Sequence, residues 1–182
     1  MIVEETDLPG VLVVRAPVHR DSRGFLTEIF HESRFEALGL PVRFAQDNHS
    51  HSTRHVLRGL HFQVGSPQGK LVHPVAGAIF DVAVDIRRSS PHFGTWVAVE
   101  LEAGDGKQVW IPPGFAHGFL VMSDSADVTY KCTTVYAPEL SRTIRWDDPE
   151  ISVRWPLPAG VAPIVSDVDA SAPRLSAERW FE

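Results

Sequence analysis

The sequence predicts an all-β protein, an antiparallel sandwich or barrel of the jelly-roll kind with few short helices. Three observations lead there. About ten short runs rich in β-branched and aromatic residues follow one another, turn signals separate them, and one short segment alone reads as a convincing helix.

Taken in order, Pro9-Gly10 is a turn before a β-rich run over Val11 to Arg15, and Asp21-Ser22-Arg23-Gly24 is a second turn leading into Phe25 to Phe30. The helix covers Glu32 to Leu38, with Gly39 and Pro41 as its stop signal. Arg43 to Asn48 and Val56 to Gln63 read as strands, and Leu71 to Val75 as another in which Pro74 signals a sheet edge or a bulge. Ala78 to Ile86 is apolar enough to be buried on both faces. Val97, Val99 and Leu101 alternate with Ala98, Glu100 and Glu102, the pattern of a half-exposed strand, before Gly104-Asp105-Gly106 reverses the chain into Lys107 to Ile111. His117 to Met122 and Val128 to Tyr136 complete the series. From Trp155 onward the chain reads as irregular, with a turn of helix at Ala170 to Ser176.

The 182 residues, 43% of them hydrophobic, fit one core and one domain spanning 1–182. No apolar run approaches the roughly twenty residues of a membrane span, and Met1-Ile2-Val3-Glu4-Glu5 lacks the pattern of a signal peptide. A soluble, cytoplasmic protein is the expectation. The single Cys132 excludes an intramolecular disulfide and a thiolate metal cluster, and reads as a core thiol. A net charge of -6 argues against a general nucleic-acid or membrane surface, but a local group of basic side chains can still hold an anionic small molecule.

Leu57 to Lys70 offers such a group: Arg58, His61 and Lys70 lie within an otherwise apolar strand and the loop that follows it. Together they could supply an anion clamp, a proton acceptor and a cation near developing negative charge. Strict alternation would turn Arg58 and His61 to opposite faces, so a bulge at Gly59 is required if both are to serve one pocket. The plainer alternative is a half-buried strand with one satisfied histidine and two solvated cations.

Further polar groups sit on the same scaffold. Pro112-Pro113-Gly114-Phe115-Ala116-His117 fits the Pro-x-Gly-x-x-His of the second cupin motif, whose histidine is in many cupins a metal ligand. A metal would need two or three more ligands, for which His49, His51, His55 and His61 are candidates. The first cupin motif has only His49-Ser50-His51 to offer, with no Glu following before Glu100, so a metal-free pocket lined by imidazoles is expected. Gln46-Asp47-Asn48 packs three hydrogen-bonding side chains into a strand, which suits either a polar ligand or a solvent-facing strand. Tyr130 and Tyr136 share strand parity; they could be a phenolic acid and a stacking surface, or two core tyrosines.

Asp21-Ser22-Arg23-Gly24-Phe25, Gln46 to Ser50, Val56 to Gln63, Gln68 to Val72, Phe80 to Asp85, Trp110 to Phe119 and Tyr130-Lys131 occur in the order and spacing of one family. From about residue 9 to residue 169 the chain resembles the dTDP-4-dehydrorhamnose 3,5-epimerases. The resemblance implies a cupin jelly roll with neither metal nor cofactor, and a homodimer formed by exchange of N-terminal strands. The implied substrate is dTDP-4-dehydro-6-deoxy-D-glucose. His61 would be the base, Asp169 its orienting carboxylate, Lys70 the cation facing the enolate oxygen, Tyr130 the acid and Arg58 the diphosphate clamp. Arg23, Glu28, Gln46, Asn48 and His117 resemble the remaining nucleotide and sugar contacts, with Arg23 and Glu28 serving the partner subunit's site. Tyr136 resembles the aromatic that stacks on thymine. Two departures are visible. Ser166-Asp167-Val168-Asp169 replaces the usual Ser-Glu-Lys-Asp, so that Val168 stands for a ligand-contacting lysine and Asp167 becomes a second candidate to orient His61. Ser141 stands where relatives carry an acidic contact. Relatives that invert only C3 or only C5 share nearly all these motifs, so the single-centre reaction is the first alternative and a metal-dependent cupin isomerase or oxygenase the second.

Overall fold

The β-branched runs fold into thirteen strands over residues 1–177, the span that the computed structural model describes; α1 (Glu32–Ala37) and α2 (Asp167–Ala170) are its α-helices. β1 (Ile2–Glu5), β2 (Leu12–Arg15), β10 (Lys107–Ile111), β7 (Lys70–Ala76), β12 (Ser125–Cys132) and β5 (Gln46–Thr53) lie side by side in that order in a six-stranded sheet. β13 (Ser141–Thr143), β6 (Leu57–Gln63), β11 (Phe115–Val121), β8 (Ala78–Asp85) and β9 (Trp96–Glu102) form a five-stranded sheet. β3 (Val18–Asp21) and β4 (Gly24–Thr27) pair with each other as a separate hairpin. The named strands pair antiparallel throughout, and the fold is the expected jelly roll.

Alternation sends one side of each sheet into a shared core. Val72, Val109 and Val128 of the six-stranded sheet meet Ile79, Leu101 and Phe119 of the five-stranded one. Each large apolar side chain buried this way stabilises the fold by roughly 1.5–3 kcal/mol. The outer face of the six-stranded sheet is covered in part by Phe35 of α1 and by Leu40, packed with Val14, Leu71 and Trp110. Ile144, Ile151 and Leu175, from beyond the last strand pairings, cover Val82 and Val84 on the outer face of the five-stranded sheet. That second cover is why Ala78 to Ile86 reads as a continuous apolar run. Buried Asp148 ties the cover down by accepting from the amides of Glu150, Ile151 and Leu175.

Several element boundaries differ from the sequence reading. β4 stops at Thr27 because Phe30 turns inward to pack on Phe35 and Phe44, at ring-centroid distances of 4.9 and 6.0 Å. Phe44 and Val42 belong to the same cluster, so β5 begins later than Arg43, at Gln46, and runs on through the His49-Ser50-His51 triplet. Pro74 lies in an interior strand, where the β7–β12 register shifts between Asp127 and Val128; it marks a bulge and not an edge. Gly104-Asp105-Gly106 carries the chain from one sheet to the other instead of closing a hairpin. β12 ends at Cys132, leaving Tyr136 in a loop. The late helix spans Asp167–Ala170 and is capped by Ser166; Pro173 disfavours helix at the residue before it, and only a 3-10 turn follows at Leu175–Ala177. The short strands β1, β3 and β13 were not expected. Among the described residues no helix is long and apolar enough to cross a membrane.

Candidate active site

The bulge expected at Gly59 is present. His117 on β11 pairs with His61, but Phe119, two residues on, pairs with Arg58, so three steps along β6 match two along β11. Because His117 and Phe119 share a face, Arg58 and His61 do too. Gly59 takes φ 112°, and a Cβ there would lie 2.6 Å from both the Cα of Gly118 and the carbonyl oxygen of His117. Only glycine lets the two backbones approach so closely while turning His61 inward.

Register across the six-stranded sheet supplies the facing wall. Lys70 lies opposite Cys132 and Ile111, Cys132 opposite Gln46, and Tyr130 opposite Asn48. These side chains meet His61 around a cavity of about 390 Å³ lined by Gln46, Asn48, His61, Lys70, Tyr130 and Tyr136, together with Phe62, Gln63, Gln68, Ser141, Thr143 and Val168. Six expected site residues thus line one space. The Val168 and Ser141 positions line it as well, and Asp47 faces away from it to pair with Lys131 at 3.0 Å.

His61 is 41% exposed to the cavity, while Asp169 behind it is only 4% exposed. Imidazole Nε2 is 2.6 Å from Asp169 Oδ1. The C-terminal segment reaches this point because Ile164 bridges to Val56 at the entry to β6: Leu57 N–H donates to Ile164 O at 2.9 Å and Ile164 N–H to His55 O at 2.8 Å. Ser166 then accepts from the amide of Asp169, and α2 turns that carboxylate inward while leaving Asp167 exposed. Burial alone would raise the Asp169 carboxyl, but the hydrogen bonds to His61, Ser166 and Gly59 hold it below the usual carboxylate range. The choice between Asp167 and Asp169, open from sequence, falls to Asp169.

Lys70 is almost wholly buried, and its Nζ donates to the backbone oxygen of His61 at 3.4 Å. Burial pushes its pKa down, with Cys132 and Asp81 opposing. Tyr130 faces His61 from the other sheet. Burial raises its phenol, and Arg58 opposes the rise, so the hydroxyl keeps its proton at neutral pH.

Besides Asp169, four expected site residues do not line this cavity. Arg58 donates to Ser52 Oγ at 3.0 Å and to His51 O at 3.2 Å. His117 is buried beneath His61 with Nε2 2.8 Å from Asp81 Oδ2, and burial pushes its pKa down against the pull of that carboxylate. Arg23 is exposed on the β3–β4 hairpin and bonded to Asp21, and Glu28 pairs with Arg34 at 2.7 Å. His49 and His51 project from the opposite sheet face, bonded to Asp127 at 2.9 and 3.1 Å. Sequence reasoning missed Asp81, Gln63 and Thr143. Gln63 had a signal, its parity with His61 on one strand; Thr143 had none, since β13 was not expected.

The family model described as dTDP-4-dehydrorhamnose 3,5-epimerase matches residues 5–177. A dTDP-4-dehydrorhamnose 3,5-epimerase of Escherichia coli K12 is 52% identical over 163 residues, 88% of this chain and 88% of the relative. The Methanothermobacter thermautotrophicus enzyme of the same name is 49% identical over 165 residues, covering 91% and 89%. Among solved structures, the dTDP-6-deoxy-D-glucose-3,5-epimerase of Legionella pneumophila in complex with dTDP-4-keto-L-rhamnose superposes with a TM-score of 0.92 at 45% identity, covering 97% of this chain and 93% of that one.

Proposed function

Since the chain belongs to the dTDP-4-dehydrorhamnose 3,5-epimerase family, we propose that His61 and Tyr130 exchange the protons of this reaction from opposite walls of the cavity. The enzyme is an isomerase that inverts C3 and C5 of dTDP-4-dehydro-6-deoxy-D-glucose to give dTDP-4-dehydro-L-rhamnose. The C4 ketone acidifies the C–H bonds on either side of it. His61 removes the proton, the negative charge moves onto the C4 oxygen, and the buried Lys70 ammonium stabilises that enolate. Tyr130 returns a proton to the opposite face, and the centre is inverted. Once His61 has released its proton to solvent and Tyr130 has taken one back, repetition at the second carbon completes the conversion.

Asp169 holds the imidazole in place and favours the imidazolium that forms, as in other His–Asp pairs. Arg58 clamps the diphosphate; Gln46, Asn48 and His117 contribute polar contacts; Tyr136 stacks on thymine. The exposed Arg23 and Glu28 serve the site of a second copy in a homodimer. The detached β3–β4 hairpin, which pairs with neither main sheet, supports that exchange. We place this enzyme in the cytoplasm.

The observation that carries the reading is the His61–Asp169 pair facing Tyr130 across a cavity that also holds Lys70. Incubation with the keto-sugar in deuterated water tests it. Label at both C3 and C5 is expected; label at one centre alone would reduce the enzyme to a single-centre epimerase, and none would remove the activity.

A further inference from the structure

The loop after β12, residues 133–137, carries Tyr136 to the cavity, yet its tip has little apolar anchorage: Val135 is 61% and Tyr136 54% exposed. Its backbone is held instead by glutamine side chains from three different places. Gln46 on β5 accepts from the Tyr136 amide at 2.7 Å. Gln63, buried at the end of β6, accepts from the Ala137 amide at 2.8 Å and donates to Val135 O at 3.4 Å and to Ser66 O at 3.0 Å. Gln68 donates to Thr134 O at 2.8 Å. Thr133 exchanges hydrogen bonds with Gly69 through its amide and hydroxyl, the Thr134 hydroxyl donates to Ser66 O at 3.5 Å, and Ala137 O accepts from the Leu140 amide.

An amide side chain offers a donor and an acceptor at fixed separation, so Gln63 can satisfy an N–H and a C=O of the same loop at once. Removing it would leave those groups unpaired in a partly buried setting. The loop would then sample other conformations, and an aromatic ring not already placed costs affinity when a ligand must order it.

We propose that Gln63 and Gln68, with Gln46, form a clamp that presets the Tyr136 ring for the nucleobase. Gln63 and Gln68 are positioning residues: they act on nucleotide affinity through Tyr136 and take no part in proton transfer. This rests on the reading of Tyr136 as the base-stacking residue, and the experiment separates the two.

The measurements are dTDP affinity by calorimetry and kcat and KM with the keto-sugar, for Gln68→Ala, Gln63→Met, Tyr136→Ala and the double variants. Gln68→Ala and Gln63→Met should each weaken dTDP binding about 5- to 30-fold, the scale of one or two lost hydrogen bonds, and raise KM in parallel while kcat stays within about threefold. In the Tyr136→Ala background either substitution should add little, because the ring it positions is gone. Losses that add in full to that of Tyr136→Ala, unchanged dTDP affinity in Gln68→Ala, or a fall in kcat with KM unchanged would each overturn the proposal. If Tyr136→Ala binds dTDP like the wild type, the stacking reading itself fails, which is a separate result. Should Gln63→Met not fold, Gln68→Ala, at a half-buried site, decides alone.

Discussion

Asp169 follows His61 by 108 residues in the chain, yet its Oδ1 lies 2.6 Å from the imidazole Nε2 while its other oxygen faces the amide of Gly59. One buried carboxylate therefore orients the ring and braces the bulge that presents it. Asp169→Asn should lower turnover by about 10²- to 10⁴-fold, since the amide can hold the ring but cannot support an imidazolium.

The same pair has a pH signature. Asp169 is held below its ordinary pKa in the fold, so its contribution to stability is fully present above the unfolded value of about 3.9 and is lost as pH falls through the lower folded value. The difference in Tm between wild type and Asp169→Asn should shrink as pH falls below about 4, where the carboxylate takes up its proton. A difference that persists unchanged in strong acid would assign the stabilisation to packing and not to charge.

His61→Ala should abolish exchange while leaving the nucleotide bound. Loss of a general base typically costs about 10²- to 10⁴-fold, whereas dTDP affinity is assigned to Arg58, Tyr136 and their neighbours. Wild-type deuterium incorporation at either carbon would show another base; calorimetry with dTDP checks that the pocket is intact.

Tyr130→Phe should separate the two halves of each inversion. Removing only the hydroxyl leaves the ring's packing nearly unchanged, so the effect belongs to the proton. His61 can still remove and replace a proton on its own face, and deuterium should enter with retained configuration while inverted product falls by about two orders of magnitude or more. Inversion at the wild-type rate would move the acid's role elsewhere, with Tyr136 or a water next.

Arg23→Ala and His61→Ala chains, each inactive alone, should recover activity when mixed if Arg23 completes the partner's site across an isologous interface. Demonstrated subunit exchange without recovery would remove Arg23 from the partner's site.

Gly59→Ala and Gly39→Ala both place a side chain at positive φ, but only at Gly59 does the new Cβ meet backbone, at 2.6 Å. Denaturation midpoints should show roughly 1–2 kcal/mol lost at Gly39, the cost of left-handed geometry, and a larger loss with impaired turnover at Gly59. Equal losses would mean that the β6–β11 contact yields easily.

The sequence by itself determined what depends on local chemistry. Glu32 to Leu38 carries its own stop signal in Gly39 and Pro41, and α1 lies there. Alternation and turn residues mark most strands, and the conflict between the 58–61 spacing and strand parity already demanded a bulge at its only glycine. Residue types and spacing marked His61 and Lys70, the family resemblance added Tyr130, Gln46 and Asn48, and one cavity holds all five. Tertiary structure decided what depends on distant partners. Asp169 was chosen over Asp167 because the bridge from Ile164 to Val56 sets where α2 begins, and two residues on so short a helix face different ways. His49 and His51 were turned outward because pairing with β12 fixed the parity of β5. Tyr136 reached the cavity by a loop, not a strand, because side-chain amides took the backbone groups that a neighbouring strand would otherwise have paired. Local pattern says which faces a residue can present; the partner strand's register and side-chain hydrogen bonds choose among them.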